Sequence, residues 1–134
     1  MNSFNHSAFG AVGEFLFNYL AGIQAAGPGF DQIIICPELG DYSVREVQAT
    51  YESMNGLISS SWQIEGDAFS LAVEIPVNSS ARIYVPVREG TSAREGGGDA
   101  TATVEIIKGK TFNVFLVGSG RYQFRSELPL LSKN

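Results

Sequence analysis

Hydrophobic residues follow two different periods along this chain. From Phe9 to Ile23 the apolar positions Phe9, Val12, Leu16, Tyr19, Leu20 and Ile23 recur at helical spacing. Gly22 or Gly27 would end such a helix, and Pro28 would prevent its continuation. Phe15 and Phe17 lie on the opposite side, so this helix is apolar nearly all round and needs cover on several sides.

After Pro28 the apolar positions alternate with polar ones, which predicts strands. The predicted strands are 32–36, 44–53, 57–65, 69–75, 81–87, 103–107, 110–117 and 121–126. Turn signals separate them: Asn55-Gly56 predicts a two-residue hairpin, and further turns are expected at 65–67, 76–80, 108–110 and 118–120. The fold class predicted is mainly β, an antiparallel β-sandwich of about eight strands preceded by one N-terminal α-helix.

Composition narrows the function classes. The chain has 134 residues, enough for one domain with a core, and 9 Lys+Arg against 14 Asp+Glu give a net charge of -5. An acidic chain does not favour a nucleic-acid partner, because phosphate neutralisation needs a basic surface. No segment has the length of a membrane-spanning helix, and no signal peptide is expected at the N-terminus, which leaves the compartment open.

Few side chains suit catalysis or metal binding. There is one histidine, His6, and one cysteine, Cys36, which excludes an internal disulfide, a multi-cysteine metal site and a His/His metal motif. No metal and no cofactor are expected. Cys36 ends the most apolar strand and is predicted to be an inert, buried thiol. The carboxylates lie at turns or at outward positions of strands, where solvated charge is expected rather than a catalytic pair. No catalytic residue is therefore assigned.

Three other motifs have ordinary structural interpretations. The run 96–98 is three glycines, but a strand follows it rather than a helix, which predicts a linker loop and not a phosphate-binding loop. Asn78-Ser79-Ser80 fits a glycosylation sequon, and a hairpin turn is the simpler interpretation. Trp62 lies on a central strand, where a core position is expected.

The segment 1–16, MNSFNHSAFGAVGEFL, resembles a signature near the C-terminal end of bacterial α-L-rhamnosidases. The segments 28–37, 59–66, 75–76, 84–86 and 118–124 are similar to that family's crossover to its C-terminal β-sandwich and to the sandwich itself, the last to its closing hairpin. The resemblance implies that 1–27 is the last helix of a truncated (α/α)6 catalytic barrel. It implies that 28–134 is the C-terminal β-sandwich domain.

The resemblance also implies a function. The family hydrolyses terminal α-L-rhamnosides with inversion, using acidic residues on barrel loops that this chain is expected to lack. His6, with its neighbour Asn5, corresponds to an Asn-His pair, and the role implied for His6 is a hydrogen bond to a rhamnose hydroxyl. Ser7, Phe15 and Cys36 depart from the family pattern, and Ser7 replaces a usual aromatic residue beside the sugar pocket.

Two interpretations follow for the chain as it stands. The first is a structural, non-catalytic C-terminal portion of a rhamnosidase, which meets a rhamnoside only when a full barrel is present. Its apolar helix is then expected to self-associate or to fold onto the sandwich. The alternative is a free-standing sandwich that binds carbohydrate or protein. That would need exposed aromatic residues, whereas Tyr42, Tyr51, Trp62, Tyr84 and Tyr122 are expected to be buried or half-buried.

Overall fold

A computed structural model describes residues 22–25, 32–96, 102–107 and 109–129. Ten strands lie in these ranges. They are β1 (Ile23–Ala25), β2 (Gln32–Ile35), β3 (Glu46–Ser53), β4 (Gly56–Glu65), β5 (Ala68–Ile75), β6 (Ser80–Pro86), β7 (Arg94–Glu95), β8 (Ala102–Ile107), β9 (Lys110–Val117) and β10 (Gly120–Glu127).

The strands form two five-stranded sheets. The first sheet has the order β1-β2-β6-β9-β8, and the second has the order β3-β4-β5-β10-β7. The mainly β, two-sheet fold is confirmed, and each of the eight predicted strands is present within two residues at its ends. The short strands β1 and β7 are additional. Neighbouring strands are antiparallel except for β2 and β6, which are parallel.

Local turn signals predicted some connections correctly and others not. β3–β4, β4–β5 and β8–β9 are antiparallel hairpins, as expected. The first of them turns at Met54 and Asn55, one residue earlier than predicted, because Ser53 pairs with Gly56. The Ser53 hydroxyl donates to the Gly56 carbonyl at 2.8 Å and closes this turn.

Two other predicted turns, at 76–80 and 118–120, do not form hairpins, so the closing hairpin that the resemblance implied for 118–124 is wrong. The segments 76–79 and 118–119 each carry the chain from one sheet to the other, because β5 and β10 belong to the second sheet while β6 and β9 belong to the first. Pro76 has no amide hydrogen with which to continue the ladder of β5, and Asn78 has a left-handed φ of 60°. A turn signal indicates that the chain reverses, but it does not indicate which sheet the next strand joins.

The start of the described chain also differs from the prediction. Ile23, which the periodicity assigned to the helix, lies in β1 opposite Ile35 and is 6% exposed. Gly22 has a φ of +81°, and the Cys36 amide donates to its carbonyl at 3.0 Å. The predicted helix itself lies outside the described residues, and the division into 1–27 and 28–134 stays a prediction.

The main core lies between the two sheets. Alternate residues of β4 and β5 face inward from the second sheet, and alternate residues of β6 and β9 face them from the first. Trp62 is 1% exposed, which confirms its predicted core position, and its ring centroid is 6.0 Å from that of Phe69. The ring centroid of Phe124 in the second sheet lies 4.8 Å from that of Phe115 in the first, so aromatic contacts join the two sheets.

Candidate functional site

The two residues to which a sugar contact was assigned, Asn5 and His6, lie outside the described residues. The structure therefore does not place the predicted substrate-binding pair. What it does describe is the environment of Cys36, of most carboxylates, of the aromatic residues, and of one groove that sequence reasoning did not find.

Carboxylates in the described ranges are all at least partly open to solvent. Glu46, Glu52, Glu65 and Asp67 are exposed, whereas Glu74 and Glu105 are half-buried at outward strand positions. A general acid for glycoside hydrolysis needs a desolvated environment and a second carboxylate across a cleft. No such pair is buried among the described residues. Asp99 lies outside them.

Aromatic residues follow the prediction closely. Tyr42, Tyr51 and Tyr122 are half-buried, and Trp62 and Tyr84 are buried. A sugar-stacking platform needs flat rings open to solvent on one surface, and these five side chains do not supply it. The interpretation as a free-standing carbohydrate-binding module is therefore not favoured.

One groove, which we call the end groove, lies where β2 and β6 end and β9 begins. It encloses about 260 Å³. Its walls come from separate segments of the chain and include Pro37, Leu39, Pro86, Phe112 and Pro129. Sequence reasoning missed it because loops distant in sequence build it. The available signal was three prolines at strand ends: Pro37 after β2, Pro86 at the end of β6 and Pro129 shortly after β10 all line this groove.

Polar groups line part of the end groove. The Tyr42 hydroxyl donates to the Pro129 carbonyl at 2.9 Å. Burial raises the pKa of Tyr42, and the Arg88 charge opposes that shift. Lys110 Nζ lies 4.0 Å from Glu38 Oε2 at the rim. This arrangement can hold a small ligand by apolar contact and hydrogen bonds, but it offers no nucleophile beside a base.

A second hydrophobic cluster lies on the outer face of the first sheet, and we call it the outer cluster. It consists of Tyr84, Phe112 and Val114, with Ile34 and Cys36 packed against them. Their strand neighbours Ile83, Val85, Phe115, Ile33 and Ile35 point the other way, into the main core. Tyr84, Phe112 and Val114 are 9%, 7% and 3% exposed, and the rings of Tyr84 and Phe112 meet edge to face at 5.9 Å.

Cys36 lies at the border of the outer cluster and is half-buried. Its pKa is raised to about 11, first by burial and then by the negative charge of Glu38, while Lys110 opposes the shift. The thiol is therefore protonated near neutral pH and is a poor nucleophile. The raised pKa agrees with the predicted inert thiol, whereas Cys36 is half-buried rather than buried as predicted.

The described ranges hold neither a cluster of metal ligands nor a membrane-spanning helix. No group of three or more His, Cys, Asp or Glu side chains there is arranged to hold a metal ion. Those ranges also contain no helix long and apolar enough to cross a membrane.

The glycine run at 96–98 lies mostly outside the described residues. Only Gly96 is described, and its amide donates to the Gln123 carbonyl at 2.8 Å. A strand, β8, does follow the loop.

The fold is that of a two-layer β-sandwich domain, in which one sheet is mixed and the other is antiparallel. The chain belongs to the family of bacterial alpha-L-rhamnosidase C-terminal domains, whose pattern matches residues 22–100. It is 34% identical over 124 residues to an alpha-L-rhamnosidase of Streptomyces avermitilis, and 29% identical over 133 residues to one of Formosa agariphila. These alignments cover 92% and 97% of this chain.

Solved structures agree with the family assignment. The Streptomyces avermitilis alpha-L-rhamnosidase, solved in complex with L-rhamnose, superposes with a TM-score of 0.73 at 34% identity over 93% of this chain. The alpha-L-rhamnosidase of Dictyoglumus thermophilum gives a TM-score of 0.71 at 28% identity over 87% of this chain. The match covers only 12% and 13% of those two chains. The chain thus spans about an eighth of the length of these relatives.

Proposed function

We propose that this chain is the structural C-terminal portion of an enzyme that hydrolyses terminal α-L-rhamnosides with inversion, and that it does not catalyse the reaction alone. The observation that carries the proposal is the family match over a segment about an eighth as long as the matched rhamnosidases. The carboxylates of the described residues support it, because they are scattered, all at least partly open to solvent, and offer no desolvated acid opposite a base.

The proposal includes the N-terminal part of the chain. Residues 9–20 form an apolar helix, the last of the catalytic barrel, which connects at Gly22 to the sandwich. Asn5 and His6 precede this helix, and His6 donates or accepts a hydrogen bond at a rhamnose hydroxyl. The support for these assignments is the helical spacing of the apolar residues and the resemblance of segment 1–16 to the family signature.

An activity assay tests the non-catalytic role. The purified chain, incubated with an aryl α-L-rhamnoside, is expected to release no aryl alcohol above the rate of buffer. The Streptomyces avermitilis relative serves as the positive control. Turnover by this chain that disappears when one of its own acidic residues is replaced by an amide would contradict the proposal.

A chimera tests the role of His6. This chain replaces the matching segment of the Streptomyces avermitilis enzyme, and the chimera is expected to hydrolyse the same aryl rhamnoside. His6→Ala in the chimera removes one sugar hydrogen bond and is expected to lower kcat/KM by about tenfold. His6→Gln, which retains hydrogen-bonding groups, is expected to recover part of the loss, and Asn2→Ala is the matched control. Equal activity of the chimera and its His6→Ala variant would disprove the sugar contact.

A further inference from the structure

The outer cluster is an apolar surface in a position where a sandwich normally meets water. The sheets of a β-sandwich commonly pack one face on the core and leave the other in contact with water. Here the outer face of β2, β6 and β9 presents Tyr84, Phe112 and Val114, and each is at least nine-tenths buried. Among the described residues, Ile34 and Cys36 pack against these three, and Pro86 lies beside Phe112 in the pairing of β6 with β9. They belong to the strands of the same sheet or to the end of β2, so they do not form a layer above it.

The chain that precedes the sandwich reaches this surface. Gly22 is hydrogen-bonded to Cys36, and Cys36 borders the outer cluster. A Cβ atom on Gly22 would overlap the Cys36 carbonyl, so the two backbones are in direct contact. Residues 1–21 therefore join the described structure at the edge of the cluster.

The length and the apolar composition of residues 9–20 also match the outer face of β2, β6 and β9. A helix over residues 9–20 would be about 18 Å long at about 1.5 Å per residue. The three adjacent strands β2, β6 and β9 span about 10 Å at about 4.8 Å per strand. One such helix can cross all three strands. Its apolar side chains supply the second layer that a one-sided hydrophobic sheet face requires.

We propose that the outer cluster is the docking surface for residues 9–20 of the same chain. This inference rests on the helix included in the proposed function. It assigns the partner of the outer cluster, with Val114 at the centre of the contact and Leu116, 68% exposed on the same face of β9, beyond its edge. The sandwich then holds the segment that follows the Asn5–His6 pair.

Amide hydrogen exchange on the intact chain tests the docking. Residues 9–20 are expected to be protected in the unaltered chain. Val114→Ser is expected to accelerate their exchange by at least tenfold, while the amides of β4 and β5 keep their protection. Leu116→Ser, two residues away on the same face, is the matched control and is expected to leave residues 9–20 unchanged.

Each alternative result of this experiment would contradict a different part of the proposal. If residues 9–20 are equally protected in Val114→Ser and Leu116→Ser, the helix exists but does not dock on the outer cluster. If residues 9–20 exchange at coil rates in the unaltered chain, the helix of the proposed function fails, and the docking fails with it. If protection exists only in a dimer and is lost on dilution, the helix covers a second copy and the proposal is overturned. Should Val114→Ser not fold, the nearly isosteric Val114→Thr provides the same comparison.

Discussion

The Cys36 thiol shows how one half-buried group connects local environment to stability. Burial and the nearby Glu38 raise its pKa from the ordinary 9.0 to about 11, so the folded chain keeps the thiol proton to higher pH than the unfolded chain does. This difference in pKa contributes to the free energy of unfolding. The contribution is complete below pH 9 and is lost as the pH rises through about 11, because between these values the unfolded state binds fewer protons than the folded state.

We expect the urea midpoint of the unaltered chain to fall between pH 9 and 11 by more than that of Cys36→Ser, which has no titrating thiol. Other groups titrate in both proteins and cancel in the comparison. Alkylation by iodoacetamide near neutral pH should likewise be slow for the folded chain and normal in urea. Identical pH profiles for the two proteins would show that the Cys36 pKa does not differ between the folded and unfolded states.

Single residues were predictable where alternation along a strand decides their position. The burial of Trp62 and Tyr84 and the exposure of Glu46 and Glu52 follow from which face of a strand each residue occupies. Tyr42 was also correctly expected to be half-buried. Its bond to Pro129 was not predictable, because the two residues lie 87 positions apart in loops without a repeating pattern.

At the scale of elements, β1 depends on Gly22. This glycine has a φ of +81°, which L side chains rarely adopt, and its Cβ position is filled by the Cys36 carbonyl. Gly22→Ala is expected to displace β1 from β2, giving fast amide exchange at Ile23–Ala25 and a loss of about 2–4 kcal/mol in the free energy of unfolding.

Gly66→Ala is the matched control, because Gly66 also has a positive φ, +63°, but nothing lies within 4 Å of its Cβ position. It should cost only about 1–2 kcal/mol from backbone strain, with β1 still protected. Equal effects of the two substitutions would mean that the contact between Gly22 and Cys36 does not hold β1.

The positions of the strands were more predictable than the pairing between strands. The period of two located eight strands, since an inward-facing apolar residue at every second position is a local property of the sequence. β1 was missed because Ile23 continues a helical spacing as well as it fits a strand. β7 was missed because two residues, Arg94 and Glu95, carry no period. The pairing of β2 with β6 depends on contacts between distant segments, which local periodicity does not encode.

For the whole molecule, the main core includes residues of both sheets, so this larger of the two hydrophobic clusters cannot form within one sheet. We therefore expect one cooperative unfolding transition, with Trp62 emission and far-UV circular dichroism changing at the same urea concentration. Phe124→Ala removes a fully buried ring in contact with Phe115 and is expected to lower the free energy of unfolding by about 3–5 kcal/mol in both signals.

Met54→Ala is the control for this truncation, because Met54 is 90% exposed, and it should change stability by no more than about 0.5 kcal/mol. Two separate transitions in the unaltered chain would contradict a shared core. A small effect of Phe124→Ala would contradict the contact between the layers.

The candidate site was predictable only in part at this scale. The resemblance of segment 1–16 predicted the family, which is confirmed. The Asn5–His6 pair, which it also predicted, stays a prediction because both residues lie outside the described ranges. The end groove and the outer cluster were not predicted. Each joins residues from at least three segments, and the sequence reveals such surfaces only after the strand order is known.

The parallel pairing of β2 with β6 also has a kinetic consequence. Ile35 lies opposite Ile83, and the strands β3, β4 and β5 of the other sheet intervene in the chain. Those three strands can form early as two local hairpins, because each needs only a short loop to close. The pairing of β2 with β6 has to close a long loop, so during synthesis or refolding β2, although it can pair with β1, keeps its other edge open until β6 arrives. We therefore expect the closure of β2 onto β6 to be the slow step in folding, and the open edge of β2 to be exposed to aggregation until that step is complete.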